Sequence, residues 1–225
     1  MRGNDRNNIK PQMSNIKDLK KDYSLKKKEI KNRLREFQKT WEKGDEAIFR
    51  ELCFCILTAN ASAQMGINCI DNIGDLLLKG SIRDLKKIRC GGHRFPNKRS
   101  EFIIHTREFI KKALGFRLKD KIIFLKDFHE RRDFFAKNPG IKGLGYKEAS
   151  HFLRNIGFKG YAILDKHILR SLHEFGVIKG IEKPNTKKKY IEIEDKMKAF
   201  SEKIGIDMDE LDLLLWSRKT GKILK

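Results

Sequence analysis

The chain lacks long hydrophobic runs. No apolar stretch approaches the about 20 residues that a membrane-spanning helix requires, and the start shows no secretory signal pattern. The sequence therefore predicts an intracellular protein with no membrane span. Residues 1–17 are interpreted as a disordered or appended N-terminus ahead of one domain, residues 18–225.

Cysteine is scarce, and its spacing disfavours most metal sites. Cys53 and Cys55 stand two apart in an apolar run, Cys69 and Cys90 stand alone, and no C-x-x-C pair occurs. The six histidines form no H-E-x-x-H pair or similar ligand pattern. A zinc site, an iron–sulfur cluster and a metal-dependent hydrolase are disfavoured. We expect no metal, no cofactor, and buried thiols in a reducing compartment.

Acidic residues are also in deficit. The chain has 51 Lys and Arg residues against 30 Asp and Glu residues, a formal net charge of +21. Such an excess is typical of proteins that bind a polyanion, and both nucleic acid and an anionic membrane surface fit it. A lysine-rich, heat-adapted surface is the alternative that charge alone leaves open.

Strand-type alternation is nowhere convincing, whereas the helical period recurs along the chain. Residues 47–60 form an almost wholly apolar helix that belongs at the centre of a core. Glycines 157, 176 and 221 stand just beyond three predicted helix ends, where a C-cap glycine is expected. The prediction is an all-α fold, with further helices at residues 100–114, 148–156, 166–175, 189–204 and 208–218.

The most informative segment is NPGIKGLGYK, from Asn138 to Lys147. It predicts a helix that ends at Pro139, a glycine-rich turn, and a new helix that starts at Tyr146 or Lys147. This pattern indicates a hairpin between two helices.

Gly143 and Gly145 are expected to permit positive φ angles and close backbone approach. Several amide N–H groups could then bind a phosphate at the N-terminus of the second helix. Tyr146 and Glu148 break the P-loop pattern, which disfavours nucleoside triphosphate binding. A plain helix-turn-helix connection capped by glycines remains the alternative.

The run from Ile141 to Arg170, IKGLGYKEASHFLRNIGFKGYAILDKHILR, resembles the helix-hairpin-helix motif and the following acidic loop of the DNA glycosylase superfamily. Within that superfamily the chain resembles the archaeal-type 8-oxoguanine DNA glycosylase/lyases. The resemblance extends from about Phe49 through LTAN (57–60) and HRF (93–95) to LLLW (213–216) and GKILK (221–225). It implies two helical lobes, or subdomains, that flank a DNA-binding cleft, and an enzyme that excises 8-oxoguanine and nicks the strand.

The resemblance implies that Lys147 is the nucleophile and Asp165 its catalytic partner. Displacement needs an uncharged amine, and the positive end of a helix dipole in a closed pocket disfavours the ammonium form of Lys147. On the residues alone, Asp165 is a helix N-cap. The resemblance adds a carboxylate that assists deprotonation and stabilises positive charge on the sugar. A Schiff base on Lys147 would lead to β-elimination.

Such an enzyme flips the damaged nucleotide out of the duplex and stacks its base. The resemblance implies that Phe95 and Trp216 stack on the base and that Asp212, one helical turn before Trp216, accepts from its Watson–Crick N–H groups. Asn60 would fill the vacated stack. A lid on the core for Phe95 and a helix C-cap for Asn60 are the structural alternatives.

The C-terminal segment is expected to reach the base pocket. A carboxylate is only an acceptor, so the α-carboxylate of Lys225 would bond the N7 hydrogen that 8-oxoguanine has and guanine lacks. A frayed basic tail is the alternative. The DNA contacts expected beside this pocket are Asn60, Arg94, Lys142, Gly143 and Gly145.

Two other function classes remain open. A noncatalytic helix-hairpin-helix DNA-binding protein would explain the charge and the turn but would not need Lys147 or Asp165. A glycosylase for another damaged base, such as thymine glycol, would need both, yet its usual relatives carry a four-cysteine cluster that this sequence lacks. We expect a monomer that binds double-stranded DNA containing 8-oxoguanine.

Overall fold

The computed structural model describes residues 15–59, 61–88 and 96–224, with only the backbone of Pro96. These residues form twelve α-helices and no strand, which confirms the all-α prediction. No helix in the described ranges is long and apolar enough to cross a bilayer. The helices are α1 (Ile16–Glu42), α2 (Asp45–Thr58), α3 (Ala63–Ile73), α4 (Leu76–Lys79), α5 (Ile82–Lys87), α6 (Pro96–Leu114), α7 (Leu118–Phe124), α8 (Phe128–Lys137), α9 (Tyr146–Asn155), α10 (Lys166–Glu174), α11 (Lys187–Ile204) and α12 (Met208–Thr220).

The predicted helices are present, with small differences at their ends. Helix α2 starts at Asp45 rather than residue 47, and α11 starts at Lys187 rather than residue 189. Gly157, Gly176 and Gly221 all have positive φ angles just beyond helix ends, as predicted.

Two separate hydrophobic cores divide the helices into two lobes. The first core is built around α2, whose side chains from Ile48 to Thr58 are buried with the exception of Arg50, and it extends to α9. The second core joins α1 to α10, α11 and α12. The N-terminal helix therefore belongs to the lobe that holds the C-terminal helices.

Helix α1 was not predicted from the sequence. The side chain of Asn15 caps the N-terminus of α1. The helix therefore starts at Ile16, two residues before the predicted domain start. Only Leu19, Ile30 and Phe37 of its 27 residues are buried, spaced by three and two turns on one face. So sparse a stripe gives little apolar periodicity among the many lysines.

A buried ion pair joins the two lobes. Arg132 of α8 donates to Glu194 of α11 over 2.6 Å, and the arginine side chain is fully buried. Glu194 also accepts the amide N–H of Ala162 at 2.9 Å. Four aromatic rings surround the guanidinium at 5.2 to 5.7 Å: Phe128, Tyr146, Tyr161 and Tyr190. The ion pair and the rings around it therefore fix the positions of α8, α11 and the segment before α10 relative to one another.

The cysteines differ in part from the expectation. Cys53 and Cys55 are free and buried, and burial raises the pKa of the Cys53 thiol. Cys69 is disulfide-bonded, so the expected free thiol is wrong there. A disulfide requires only that two cysteines meet in space, which sequence spacing does not reveal. Cys90 lies outside the described residues.

Candidate active site

A cleft of about 1220 Å³ lies between the lobes. Its walls come from the start of α3, the first turns of α9 and α10, the segment 183–187 and α12. Lys147, Asp165, Asp212 and Trp216, which are distant in sequence, all line it. The cleft therefore brings together these four predicted residues, whereas Lys142, Gly143 and Gly145 lie on the hairpin and do not line it. Four others, Asn60, Arg94, Phe95 and Lys225, lie outside the described residues.

The predicted helix-hairpin-helix is present, formed by α8, the turn and α9. The Asn138 side chain accepts the Gly140 N–H at 2.8 Å, and the Lys142 N–H donates to Thr106 Oγ1 at 3.0 Å. Among the described residues, no acceptor lies within hydrogen-bond distance of the Gly143 N–H. That amide and the first-turn amides of α9 remain available to an anion.

Gly143 and Gly145 of the hairpin have different conformations. Gly143 has a φ of +84°, and a Cβ there would lie 2.6 Å from Phe102. Gly145 has a φ of −106°, so the expected positive angle is wrong at this residue. Gly145 is the N-cap of α9, and an N-cap residue adopts an extended conformation. Of these two residues, only Gly143 requires glycine for folding.

This difference predicts separate effects for two alanine substitutions. Gly143→Ala is expected to lower the free energy of unfolding by at least about 1 to 2 kcal/mol, because a left-handed backbone costs alanine that much before Phe102 moves. Gly145→Ala should cost less than about 1 kcal/mol, since alanine is only a poorer N-cap. Its added methyl at an exposed amide should instead weaken DNA binding by about tenfold.

Urea unfolding and DNA titration of both variants check these expectations. Equal stability losses, or unchanged DNA affinity of Gly145→Ala, would contradict the assignment of the two glycines.

Lys147 occupies the first turn of α9 and is paired with its neighbour. Its Nζ lies 3.0 Å from Glu148 Oε1, while Glu148 Oε2 accepts the N–H of the N-cap residue Gly145 at 3.3 Å, the half of a capping box that a glycine allows. The Lys147 side chain is 30% exposed. Sequence reasoning missed this role of Glu148, although a glutamate at the third helical position is the usual signal of a capping box. The ammonium of Lys147 is thus held beside the hairpin amides.

Asp165 is the N-cap of α10, as its sequence position predicts. Its Oδ1 accepts the N–H groups of His167 at 2.7 Å and Ile168 at 2.9 Å. No donor among the described residues bonds to Oδ2. The half-buried carboxylate therefore has one oxygen committed to the helix and one available in the cleft.

Asp212 and Trp216 lie one turn apart on α12 and both line the cleft, as the predicted spacing requires. The ring of Trp216 is half-buried and contacts the edge of the His167 ring, with centroids 6.4 Å apart. Asp212 is buried and accepts bonds from Arg154 and the Ile163 amide. Burial raises the pKa of its carboxyl to about 7, although the Arg154 charge opposes the rise.

Several cleft residues were not singled out from the sequence. His151 lies one turn after Lys147 on α9, and its ring meets the edge of Phe54 at 5.6 Å. Arg154, two turns after Lys147, also lines the cleft. Their spacings of four and seven residues from Lys147 place them on the same helix face, and this was the signal available in the sequence. In the described ranges, no group of three His, Cys, Asp or Glu residues could hold a metal ion.

Comparison with known proteins gives consistent matches over this whole region. A family model described as 8-oxoguanine DNA glycosylase matches residues 30–206. An 8-oxoguanine DNA glycosylase/AP lyase from Korarchaeum cryptofilum is 44% identical over 197 residues, which cover 87% of this chain and 90% of that protein.

Solved structures are also similar. The crystal structure of Methanocaldococcus jannaschii 8-oxoguanine DNA glycosylase has a TM-score of 0.83 and 40% identity, over 93% of this chain and 95% of that one. The Methanocaldococcus jannaschii 8-oxoguanine glycosylase/lyase in complex with a 15mer DNA containing 8-oxoguanine has a TM-score of 0.82 and 42% identity. This second match covers 92% of this chain and 99% of that one.

Proposed function

Because this chain belongs to the 8-oxoguanine DNA glycosylase family, we propose that it releases 8-oxoguanine from double-stranded DNA and then nicks the strand, with Lys147 as nucleophile. The observation that carries the proposal is the cleft that Lys147 and Asp165 share, each in or next to the first turn of a helix. A noncatalytic DNA-binding hairpin would not need these two groups in one cleft.

DNA binding rests on the hairpin and the basic charge. The N-terminus of α9 offers amide donors and a positive dipole end to a phosphate, and Lys142 lies on the same turn. The net charge of +21 adds attraction to the duplex. Gly143, Gly145 and Lys142 thus bind the backbone, and we keep Asn60 and Arg94 as contacts near the flipped nucleotide. One chain supplies all of these groups, so we propose that a monomer acts.

The chemistry uses the two catalytic side chains in turn. Asp165 accepts a proton from the ammonium of Lys147, and the amine then attacks C1′ of the sugar. The C1′–N9 bond breaks, and its electron pair leaves with the base. Asp165 passes the proton that it accepted to the leaving base, and its carboxylate, charged again, stabilises the positive sugar that develops. The sugar ring opens to a Schiff base on Lys147 as a proton of the attached amine moves to the ring oxygen. The Asp165 carboxylate then accepts a C2′ proton, and the 3′ phosphate is expelled.

The base pocket is proposed to be completed by residues around α12. Trp216 offers one stacking face, and Phe95 is proposed as the other. Lys222 and Leu224 line the cleft, which supports a pocket position for Lys225.

Deleting Lys225 is expected to slow release of 8-oxoguanine by about 10- to 100-fold, the scale of a lost hydrogen bond to a charged group. Nicking of DNA with a preformed abasic site should change little, because that substrate carries no base. Lys225→Ala is the matched control, since it removes the side chain alone. Equal slowing on both substrates would contradict a role in base recognition.

Borohydride trapping of the wild-type protein tests the proposed function. Duplexes containing 8-oxoguanine, thymine glycol or undamaged guanine are incubated with the protein and reductant. We expect a covalent adduct and a nick with 8-oxoguanine alone. An adduct only with thymine glycol would indicate the alternative glycosylase, and binding without any adduct would indicate a noncatalytic protein.

A further inference from the structure

The carboxylate of Asp212 is engaged within the protein. Its Oδ2 accepts from Arg154 Nη1 at 2.7 Å, and its Oδ1 accepts the Ile163 N–H at 3.3 Å. Only 3% of the residue is exposed, although it lies in the cleft wall. A flipped base would therefore find almost no accessible atom on it.

The two donors lie on the two elements that carry the proposed catalytic residues. Arg154 lies on α9, the helix whose first turn carries Lys147. Ile163 lies two residues before Asp165, in the irregular segment that leads into α10. One carboxylate on α12 thus connects the helix of the nucleophile to the segment of its partner.

Arg154 is itself held firmly. It is 4% exposed, its guanidinium lies over the Phe37 ring at 5.1 Å, and its Nε donates to Asn155 at 3.1 Å. Asn155 in turn donates to Glu51 of α2 at 2.7 Å. The charge on Asp165 also contributes to the raised pKa of Asp212, after burial as the main cause.

We propose that Asp212 is a positioning residue that holds Asp165 relative to Lys147 through Ile163 and Arg154, and that it does not read the base. This inference rests on the function proposed above. Charge-assisted hydrogen bonds donated to a buried carboxylate are strong and directional, so they set the position of the groups that donate them. Loss of this position should slow every step that uses Lys147 and Asp165 together.

Abasic-site DNA separates positioning from base recognition, because it retains the sugar and phosphates but has no base. Asp212→Asn keeps the volume but places an amide N–H₂ group against one of the two donors. We expect single-turnover rates to fall by about 10- to 100-fold, both for 8-oxoguanine release and for nicking of a preformed abasic site. Affinity for a duplex with a tetrahydrofuran site should stay within about twofold of wild type.

Asp209→Asn is the matched control. Asp209 is also a buried carboxylate of α12, 3% exposed, and it accepts a backbone amide, that of Gly160. It lines a second cavity and is absent from the residues of the cleft. This variant should keep both rates near wild type.

Nicking of abasic DNA at the wild-type rate by Asp212→Asn, with slow 8-oxoguanine release, would overturn the proposal and assign Asp212 to the base. If Asp212→Asn does not fold, the variant Arg154→Lys tests the same positioning role. Lysine keeps the positive charge but lacks the planar guanidinium with its several N–H donors. The rates of 8-oxoguanine release and of abasic-site nicking should therefore both fall by about 3- to 10-fold, with unchanged DNA affinity. Unchanged rates in a folded Arg154→Lys protein would also overturn the proposal. Failure of the proposed function differs, since the wild type would then form no adduct with 8-oxoguanine.

Discussion

Lys147→Gln is expected to abolish both base release and strand nicking, while binding to duplex DNA persists. The substitution removes the only amine that the proposed mechanism uses, so neither the attack on C1′ nor the Schiff base can occur. It leaves the hairpin amides and nearly all of the net charge in place. Loss of a covalent nucleophile should lower the single-turnover rate by at least about 10⁴-fold.

Borohydride trapping and gel analysis of the cleaved strand measure this effect. Lys159→Gln is the control: this lysine is exposed and lines the second cavity instead of the cleft. It should trap and nick as the wild type does. Covalent trapping that survives in Lys147→Gln would assign the nucleophile to another lysine.

Asp165→Asn is expected to bind 8-oxoguanine DNA normally but to turn over at least about 10²-fold more slowly, the usual scale for lost acid–base or electrostatic assistance. Asparagine is as good an N-cap as aspartate, and its Oδ1 can still accept from His167 and Ile168. Helix α10 should therefore remain intact. What the variant loses is the negative charge and the proton acceptor in the cleft.

Single-turnover kinetics and thermal unfolding together check this prediction. Asp127→Asn is a matched control, because Asp127 is an exposed N-cap of α8 that accepts the Glu130 N–H at 2.8 Å. It should leave both rate and melting temperature nearly unchanged. Were Asp165→Asn to lose its fold along with its activity, capping would be the main role of this carboxylate.

Local signals account for much of the fold and for part of the site. The end of α8 before Pro139, the N-cap at Asp165 and the positive φ of Gly143 were all read from neighbouring residues. Gly145 shows the limit of such rules, since an N-cap glycine uses the extended region that any residue can adopt. Helix α1 was missed because its burial depends on a distant partner, α12.

The sequence by itself determined helices α2, α6 and α8 to α12, where the hairpin turns, and that Lys147 and Asp165 each lie at a helix start. These features depend on hydrogen bonds and caps between residues a few positions apart. Only the tertiary structure decided that Asp212 bonds Arg154 and Ile163, that Arg132 pairs with Glu194, and that α1 joins the C-terminal lobe. Those contacts join residues tens of positions apart, and they exist only because two packed cores bring the surfaces together and remove water from the charges.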